Sequence, residues 1–264
     1  MSQSDEILKD RVALITGGGT GIGRTIAMEL AKAGADIAIT SRNMENLEKV
    51  VAELRTLGRR TIGVAADITK KIEVDTMYQR VIDEFGRVDI LVNCSGGSAR
   101  ERSSLFCQST EEVWDDIINL NYKGVLNVTR AVINQMIEQR SGRIISISSL
   151  DGVLGAMGRA DYSGAKAAVI GFSKALAKEV AQYNITVNCI SPGPIVSGYD
   201  EVMLANKSEE AMKWVEKLQS VTGFGYGKKE DISAMALYLA SDKSGFISGQ
   251  NMSVCGLANI NPEW

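Results

Sequence analysis

The chain has 264 residues, of which 45% are hydrophobic, and its formal net charge is -3 at pH 7. This length and hydrophobic content suit one α/β domain with a large core, and the mildly acidic balance argues against nucleic acid as a partner. The sequence contains no histidine, which excludes Ser-His-Asp and Cys-His triads and zinc sites built on histidine.

A membrane partner and a metal site are not expected either. Residues 1–6 are polar and acidic, and no apolar run approaches the ~18 residues that span a bilayer. We therefore expect a cytoplasmic protein. The cysteines are scattered without a C-x-x-C pair, so we predict neither a disulfide nor a metal site. They are Cys94, Cys107, Cys189 and Cys255.

The chain opens with a strand, a glycine-rich turn and a helix. Residues 11–16 form a short apolar run, the glycine-rich stretch 17–23 follows, and a helical pattern covers 24–32. In this context the free N–H groups at the helix N-terminus would meet a diphosphate. The pattern predicts nucleotide binding, and the alternative is a glycine-rich turn without a ligand.

The second apolar run, residues 36–40, ends in Ser41, Arg42 and Asn43. An acidic side chain at this strand end would accept the ribose 2'-hydroxyl of NAD, and none is present. Ser41 and Arg42 instead suit the 2'-phosphate of NADP through charge-assisted hydrogen bonds. The alternative is a helix start in which Ser41 or Asn43 is the N-cap and Arg42 is solvated.

Strands and helices continue to alternate along the chain. A strand over 61–65 ends at Asp67-Ile68, a helix covers about 70–85, and a strand over 88–93 leads into residues 94–97. Such alternation predicts right-handed crossovers and a parallel sheet. We predict one doubly wound Rossmann domain over residues 1–264, with about seven parallel strands and helices on both faces.

Two polar residues stand out in the next elements. A capped helix start at 109–112 leads into a long helix toward Gln139, and Asn121 lies within it. The fifth strand, residues 143–148, delivers Ser149 at its carboxyl end, the edge where open α/β sheets bind ligands. For Asn121 the alternative is a solvated polar position.

Tyr162 and Lys166 are four residues apart at the start of a helix that extends to about residue 182. Both side chains therefore share one helix face. A phenol has an unperturbed pKa of about 10, and a neighbouring ammonium lowers it toward neutrality, which makes the pair suited to proton transfer. The alternative is a surface helix with a half-buried tyrosine and a solvated lysine.

The last third of the chain contains a sixth strand (185–190), a break at 191–195, a helix (231–240) and a final strand (250–254). Between them, a polar and partly helical segment at about 197–227 is expected to form a mobile lid over a substrate, or else a surface helical hairpin. The expected pocket residues are mostly apolar, which favours an apolar ketone or 3-oxoacyl thioester over a sugar, unless they only pack the lid onto the body. They are Leu150, Val153, Leu154, Met157, Tyr199, Met203, Leu204 and Trp214.

With these residues in place, nearly the whole chain resembles the short-chain dehydrogenase/reductase family. The family's T-G-x-x-x-G-x-G fingerprint matches the stretch from Thr16 to Gly23, and its N-x-x-G strand end matches 93–96. Its active-site Asn, Ser, Tyr and Lys fall on Asn121, Ser149, Tyr162 and Lys166. The resemblance implies cofactor contacts from Gly17, Gly19, Thr20, Gly21, Ile22, Gly23, Ser41, Arg42, Asp67, Ile68, Asn93, Gly96, Tyr162, Lys166, Pro192, Gly193, Ile195 and Ser197.

Within that family the chain is similar to 3-oxoacyl-acyl-carrier-protein reductases. Shared stretches are N-Y-K-G, G-R-I-I-S-I-S-S, Y-S-G-A-K-A and I-S-G-Q, and Arg140 and Lys178 correspond to basic residues that meet the carrier protein. The chain departs from that group at residues 254–257, which read V-C-G-L instead of V-D-G-G, in a longer lid, and at 223–229, which lack the usual Arg and Pro.

The resemblance implies reversible hydride transfer between the nicotinamide of NADP(H), less so NAD(H), and a carbonyl or secondary alcohol carbon. In it Tyr162 donates the proton, Lys166 binds the nicotinamide ribose, Ser149 holds the carbonyl oxygen, and Asn121 kinks its helix and holds a water. It also implies a homotetramer or homodimer formed through the helices at 111–139 and 160–182. The alternatives are an NAD(P)-dependent alcohol dehydrogenase in a catabolic pathway and a non-catalytic nucleotide-binding scaffold subunit.

Overall fold

The computed structural model describes residues 6–97, 102–196 and 222–260, together with positions 213 and 216. Its centre is a seven-stranded sheet in the order β3-β2-β1-β4-β5-β6-β7, and every adjacent pair is parallel. The strands are β1 (Val12–Thr16), β2 (Asp36–Ser41), β3 (Thr61–Ala65), β4 (Ile90–Asn93), β5 (Gly142–Ile147), β6 (Ile185–Pro192) and β7 (Asn251–Val254). The predicted doubly wound α/β fold is therefore confirmed.

The α-helices whose bounds lie in the described part of the chain are α1 (Gly21–Lys32), α2 (Met44–Arg55), α3 (Lys71–Phe85), α4 (Glu111–Ile118), α5 (Gly124–Gln139), α6 (Asp151–Leu154), α7 (Ala160–Val180) and α8 (Lys229–Ala240), and short 3-10 helices cover Phe106–Gln108, Ala181–Tyr183 and Asp242–Ser244. None of these helices is long and apolar enough to cross a bilayer.

The core consists of two layers, one on each face of the sheet. Alternate strand residues supply them, since Ala13 and Ile15 face one layer while Val12 and Leu14 face the other. The first layer is completed by the apolar faces of α1, α2 and α8, and the second by those of α3, α5 and α7. Both faces of the central strands are thus buried, as expected for a parallel sheet.

The strand order reverses between β1 and β4, which places the ligand crevice of a doubly wound sheet at their carboxyl ends. The two ends are joined there by one side chain. Thr16 Oγ1 accepts hydrogen bonds from the backbone N–H groups of Cys94 and Ser95, each at 3.0 Å. This contact fixes the distance between the glycine-rich turn after β1 and the loop after β4.

Three elements differ from the sequence-based prediction. The long helix is interrupted by a π-helical turn, Asn119–Lys123, between α4 and α5. Strand β6 extends to Pro192, its last residue, whose carbonyl oxygen accepts the N–H of Leu150 at 2.9 Å. Helix α6 was not predicted, since four residues are too few to show a helical period.

Candidate active site

The glycine-rich turn after β1 is packed too closely for side chains. Gly17 has φ of +69° and lies against the backbone of Ser95, where a Cβ would be 3.1 Å away. At Gly23, a Cβ would lie 2.2 Å from the carbonyl oxygen of Gly17. At Gly21, with φ of +53°, there is no described atom within 4 Å of an added Cβ. The turn is therefore tight on its inner side and open on its outer side.

The open side of this turn leads to the first residues of α1, which begins at Gly21 after the exposed Thr20. The first helical turn contains no acidic residue, Ile22 is half-buried, and Gly19 lies beside Ser41. A helix start with free N–H groups, no carboxylate and room for a ligand suits an anion. These residues fit the diphosphate of a dinucleotide.

The residues after β2 show which side chain caps the N-terminus of α2. Asn43 is the N-cap of α2, since its Oδ1 accepts the N–H of Asn46 at 3.0 Å. Ser41 is not the cap, and its Oγ lies 3.1 Å from the position of a Cβ at Gly19. Arg42 is exposed, and no hydrogen bond or ion pair joins its guanidinium to another described residue. Ser41 Oγ donates to the carbonyl oxygen of Asn43 at 3.3 Å and can still accept a hydrogen bond, and Arg42 follows it in the chain.

Asp67 follows β3 and is held as a carboxylate. Partial burial raises its pKa, but hydrogen bonds from the N–H and hydroxyl of Thr69, with the charges of Lys70 and Arg42, more than offset this, so its pKa lies below the ordinary value. Next to it, Ile68 is buried against the backbone of Gly124. The ends of β2 and β3 therefore place Arg42 and Asp67 within electrostatic reach of each other.

Asn93 ends β4 with its side chain directed into the protein. Its side chain is buried, and its Nδ2 donates to Thr129 Oγ1 at 3.1 Å and to Ser146 Oγ at 3.3 Å. The amide thus points into the protein and ties β4 to β5 and α5. Its side chain therefore stabilises the strand end, and a contact of Asn93 with the cofactor remains a prediction.

Gly96 brings two of the predicted catalytic residues together. A Cβ at this position would lie 2.8 Å from Asn121 Oδ1 and 2.9 Å from Lys166 Nζ, so the two groups meet across the glycine. Asn121 is fully buried in the π-helical turn. Its Oδ1 accepts the N–H of Gly97, and its Nδ2 donates to the carbonyls of Gly97 and Ile117.

Lys166 is a buried cation. Its Nζ donates to the carbonyl of Ile147 at 2.9 Å and lies 5.7 Å from the centre of the Tyr162 ring. Burial lowers the pKa of Lys166 to about 8. The thiols of Cys94 and Cys189 are close by, and burial raises their pKa values to about 12 and about 11, so both are neutral near pH 7.

Ser149 and Tyr162 are held by contacts between the end of β5 and α7. Ser148 Oγ donates to the carbonyl of Lys166 at 2.9 Å, and Ser149 Oγ accepts the N–H of Asp151 at 3.1 Å. α6 packs directly on α7, since a Cβ at Gly152 would lie 2.8 Å from the backbone of Lys166. Tyr162 is half-buried in the first turn of α7. The structure thus packs the strand end that carries Ser149 against the first turns of α7, which carry Tyr162 and Lys166.

The end of β6 forms another wall. Gly193 lies against the backbone of Cys255, where a Cβ would be 2.7 Å from its Cα, and Ile195 is buried and forms a bridge with Gly227. Ser197 and most of the predicted lid lie outside the described residues, as do the expected pocket residues Tyr199, Met203, Leu204 and Trp214. Leu150 proves to be a core residue packed with Cys255 and Ala258.

The sequence-based prediction missed one ion pair in this region. Arg159 Nη1 lies 2.7 Å from Asp151 Oδ2, and the side chain of Asp151 is only 6% exposed. The signal in the sequence was a single basic residue within the otherwise small, apolar and acidic stretch between Ser149 and Tyr162.

The family model for short chain dehydrogenases matches residues 11–208 of this chain. The protein is a short-chain dehydrogenase. Members of this family act as oxidoreductases on CH–OH and C=O groups with a nicotinamide cofactor. The glycine-rich turn described above fits that cofactor.

Two curated relatives of this dehydrogenase span nearly its whole length. A (2S)-[(R)-hydroxy(phenyl)methyl]succinyl-CoA dehydrogenase subunit of Thauera aromatica is 40% identical over 250 residues, which cover 94% of this chain and 96% of the relative. A 3-oxoacyl-[acyl-carrier-protein] reductase of Staphylococcus epidermidis is 36% identical over 248 residues, with 94% and 98% covered.

Two solved structures also resemble this dehydrogenase over nearly its whole length. Levodione reductase superposes with a TM-score of 0.89 at 27% identity, covering 96% of this chain and 99% of that one. NAD+-bound xylitol dehydrogenase superposes with a TM-score of 0.87 at 30% identity, covering 94% and 99%.

The buried lysine of this dehydrogenase lowers its stability below about pH 8. Because the pKa of Lys166 falls from 10.5 to about 8, the unfolded chain binds more protons between those values, and folding improves as the pH rises through them. The shift corresponds to on the order of 3 kcal/mol. We expect Lys166→Met to raise the free energy of unfolding at pH 7, with a gain that shrinks toward pH 10.5.

Urea unfolding of both proteins at pH 7 and pH 10 measures this gain. Lys178→Met is the matched control, because Lys178 is exposed on the same helix and its replacement should change stability little at either pH. A Lys166→Met protein less stable than the wild type at pH 7 would contradict the expectation.

Proposed function

We propose that the enzyme transfers a hydride reversibly between the nicotinamide of NADP(H) and the carbonyl carbon of a 3-oxoacyl thioester, with Tyr162 as the proton donor. The observation that carries this proposal is the position of Lys166 Nζ, 5.7 Å from the centre of the Tyr162 ring on one face of α7. A bound nicotinamide supplies the hydride chemistry, and the residues of the chain supply orientation and the proton.

Tyr162 hydroxyl gives its proton to the oxygen of the carbonyl as negative charge develops there. The Lys166 ammonium stabilises the phenolate that remains, since an opposite charge nearby favours the ionised form. Burial of the ammonium strengthens this interaction, because it acts through a medium of low effective dielectric constant. In the reverse direction the same phenolate accepts the proton of the alcohol.

Ser149 and Asn121 complete the arrangement. Ser149 Oγ already accepts the N–H of Asp151, so its hydroxyl hydrogen is directed elsewhere and can be donated to the carbonyl oxygen. Asn121 fixes the backbone of Gly97 and, across Gly96, the position of Lys166. We assign Ser149 to the substrate oxygen, and Asn121 to the orientation of the lysine and to a water that relays protons to it.

The substrate class is supported by the names of the relatives and by the pocket wall. One relative is named for a 3-oxoacyl chain on acyl carrier protein, and the other for a hydroxylated acyl chain on coenzyme A. In this chain the described wall after β5 exposes apolar side chains, with Val153 44%, Leu154 46% and Met157 92% exposed. Such a wall favours an apolar acyl body over a sugar, and flexible Met157 can adapt to several shapes.

A substrate panel tests this proposal. Oxidation of NADPH would be followed with 3-oxoacyl thioesters, cyclic ketones, aromatic ketones and keto-sugars at equal concentrations. We expect the highest kcat/KM with the thioesters. A clear preference for keto-sugars would overturn the apolar acyl pocket, and a preference for cyclic ketones would overturn the thioester.

Specificity for NADP is proposed on the basis of Arg42. Arg42 is exposed and directly follows Ser41, which lies against Gly19 of the glycine-rich turn. A charge-assisted bond to a phosphate is worth about 1.5 to 3 kcal/mol. Arg42→Ala should therefore lower kcat/KM for NADPH about ten-fold or more and leave that for NADH nearly unchanged.

Steady-state kinetics with both cofactors measure the change. Arg55→Ala on the solvent side of α2 is a suitable control, since it removes the same charge one helix length away. An unchanged NADPH to NADH ratio in Arg42→Ala would mean that Arg42 is a solvated surface residue and that the cofactor is selected elsewhere.

The oxidative direction is the second candidate. One relative and one similar structure are named as dehydrogenases, and the latter is bound to NAD+. The same side chains serve both directions, so equilibrium and cofactor supply decide between them. A non-catalytic scaffold is disfavoured because Asn121, Ser149, Tyr162 and Lys166 are all present, and turnover by the purified chain alone would exclude it. The homotetramer or homodimer remains a prediction for sedimentation analysis.

A further inference from the structure

One cationic side chain lies in the segment that connects Ser149 to Tyr162. From Ser149 to Tyr162 the chain contains a single basic residue, Arg159, among small and apolar side chains and two aspartates. Arg159 is the N-cap residue of α7 and lies about one helical turn before Tyr162. The same segment exposes the apolar side chains of Val153 and Leu154, so Arg159 adds a charge to a mostly apolar stretch.

The partner of this guanidinium is buried next to the active-site serine. Arg159 Nη1 lies 2.7 Å from Asp151 Oδ2, with 6% of the Asp151 side chain and 28% of the Arg159 side chain exposed. The backbone N–H of Asp151 in turn donates to Ser149 Oγ. The residue that anchors the guanidinium is therefore two positions from Ser149, whose hydroxyl we assign to the substrate carbonyl.

In this ion pair, the guanidinium of Arg159 keeps N–H donors with which it can bind a ligand. A guanidinium has five N–H donors in a planar fork, and the contact with Asp151 engages Nη1. A buried acid that holds one arm of the fork fixes the direction of the others and offsets the cost of placing the cation at an apolar wall. A fork held in this way matches the two oxygens of a carboxylate.

We propose that Arg159, oriented by Asp151, binds a carboxylate carried by the acyl part of the substrate. This inference rests on the proposed function and narrows it to 3-oxoacyl thioesters that have a second, free carboxyl group. Discrimination is expected to be strong, because a site built around a charged donor rejects analogues that leave the donor unpaired.

A matched pair of substrates tests the inference. Both are N-acetylcysteamine thioesters of one 3-oxo dicarboxylic acid, one with the far carboxylate free and one with it as the methyl ester. Neither contains phosphate, so the carboxylate is the only anion that differs. We expect the wild type to prefer the free acid, and Arg159→Gln to lower kcat/KM for it about 10- to 100-fold while changing that for the ester less than about two-fold.

Two further variants complete the test. Arg60→Gln removes the same charge from an exposed ion pair with Asp36 at the opposite end of the strands, and it should retain the wild-type preference. Asp151→Asn combined with Arg159→Gln removes both charges of the ion pair together, and it should lose the preference as the single Gln variant does, even if that variant folds poorly.

The outcomes separate the inference from the proposed function. Turnover of both thioesters by the wild type without preference would overturn the carboxylate site and leave the proposed function intact. An equal loss of kcat/KM with both substrates in Arg159→Gln would also overturn the carboxylate site. That result would mean that the ion pair of Arg159 and Asp151 positions Ser149. No turnover of any thioester would overturn both proposals.

Discussion

Tyr162→Phe is expected to lower kcat by about 100-fold or more, because positioned proton transfer contributes about 10²- to 10⁴-fold to such reactions. The phenyl ring keeps the packing in the first turn of α7 and removes only the hydroxyl group. The dissociation constant of NADPH should stay within about two-fold, since the phenol acts on the substrate oxygen and the ammonium of Lys166 is retained.

Single-turnover kinetics and NADPH fluorescence titration measure these two quantities. Tyr238→Phe is the matched control, because Tyr238 is exposed on α8, away from the site, and should turn over like the wild type. A Tyr162→Phe enzyme with a kcat near that of the wild type would show that another group supplies the proton.

Gly96→Ala should be nearly as damaging although it adds only one methyl group. The new Cβ would lie 2.8 Å from Asn121 Oδ1 and 2.9 Å from Lys166 Nζ, which is closer than such atoms approach in proteins. The end of the lysine side chain can move aside, whereas the Asn121 amide is held by three hydrogen bonds, so we expect some loss of folding stability as well. A displacement of about 1 Å in a reacting site lowers the rate by about 100-fold, and we expect a loss of kcat of about that size.

Gly97→Ala provides a control one residue further along. The atom nearest to a Cβ at Gly97 is Leu120 Cδ2 at 3.9 Å, an ordinary contact, so this variant should keep most of its activity. Thermal unfolding of both variants shows whether the fold is retained. Equal losses of activity in the two variants would mean that the loop as a whole, and not the contact across Gly96, sets the rate.

The sheet and most helices could be predicted because each strand is a short apolar run and each helix has one apolar stripe. Ile37 and Ile39, for example, face one layer of the core while Ala38 faces the other, and such local patterns carry the fold. The π-helical turn could not be predicted, since two of the three hydrogen bonds of the Asn121 side chain are with Gly97, which lies 24 residues away in a different loop.

The site was predictable where side-chain chemistry and spacing are enough, as for Tyr162 and Lys166. Those parts of the site that depend on the direction of a side chain were not predictable. Asn93 and Gly96 share one motif, yet the Asn93 amide points into the protein while Gly96 faces the buried lysine. The pair Arg159 and Asp151 was missed because the intervening turn, which folds the chain back on α7, is too short to show a period.

The π-helical turn determines how the side chains of α5 are rotated about the helix axis. The N–H of Gly124 reaches back five residues to Asn119, which marks one surplus residue in the helix, and the Asn121 side chain bonds the carbonyl of Ile117 where the regular ladder is broken. Without that residue the helix would be continuous, and its later side chains would be rotated by about 100° relative to α4. The direction of the Asn121 amide and the register of α5 on the sheet therefore depend on a single extra position in the chain.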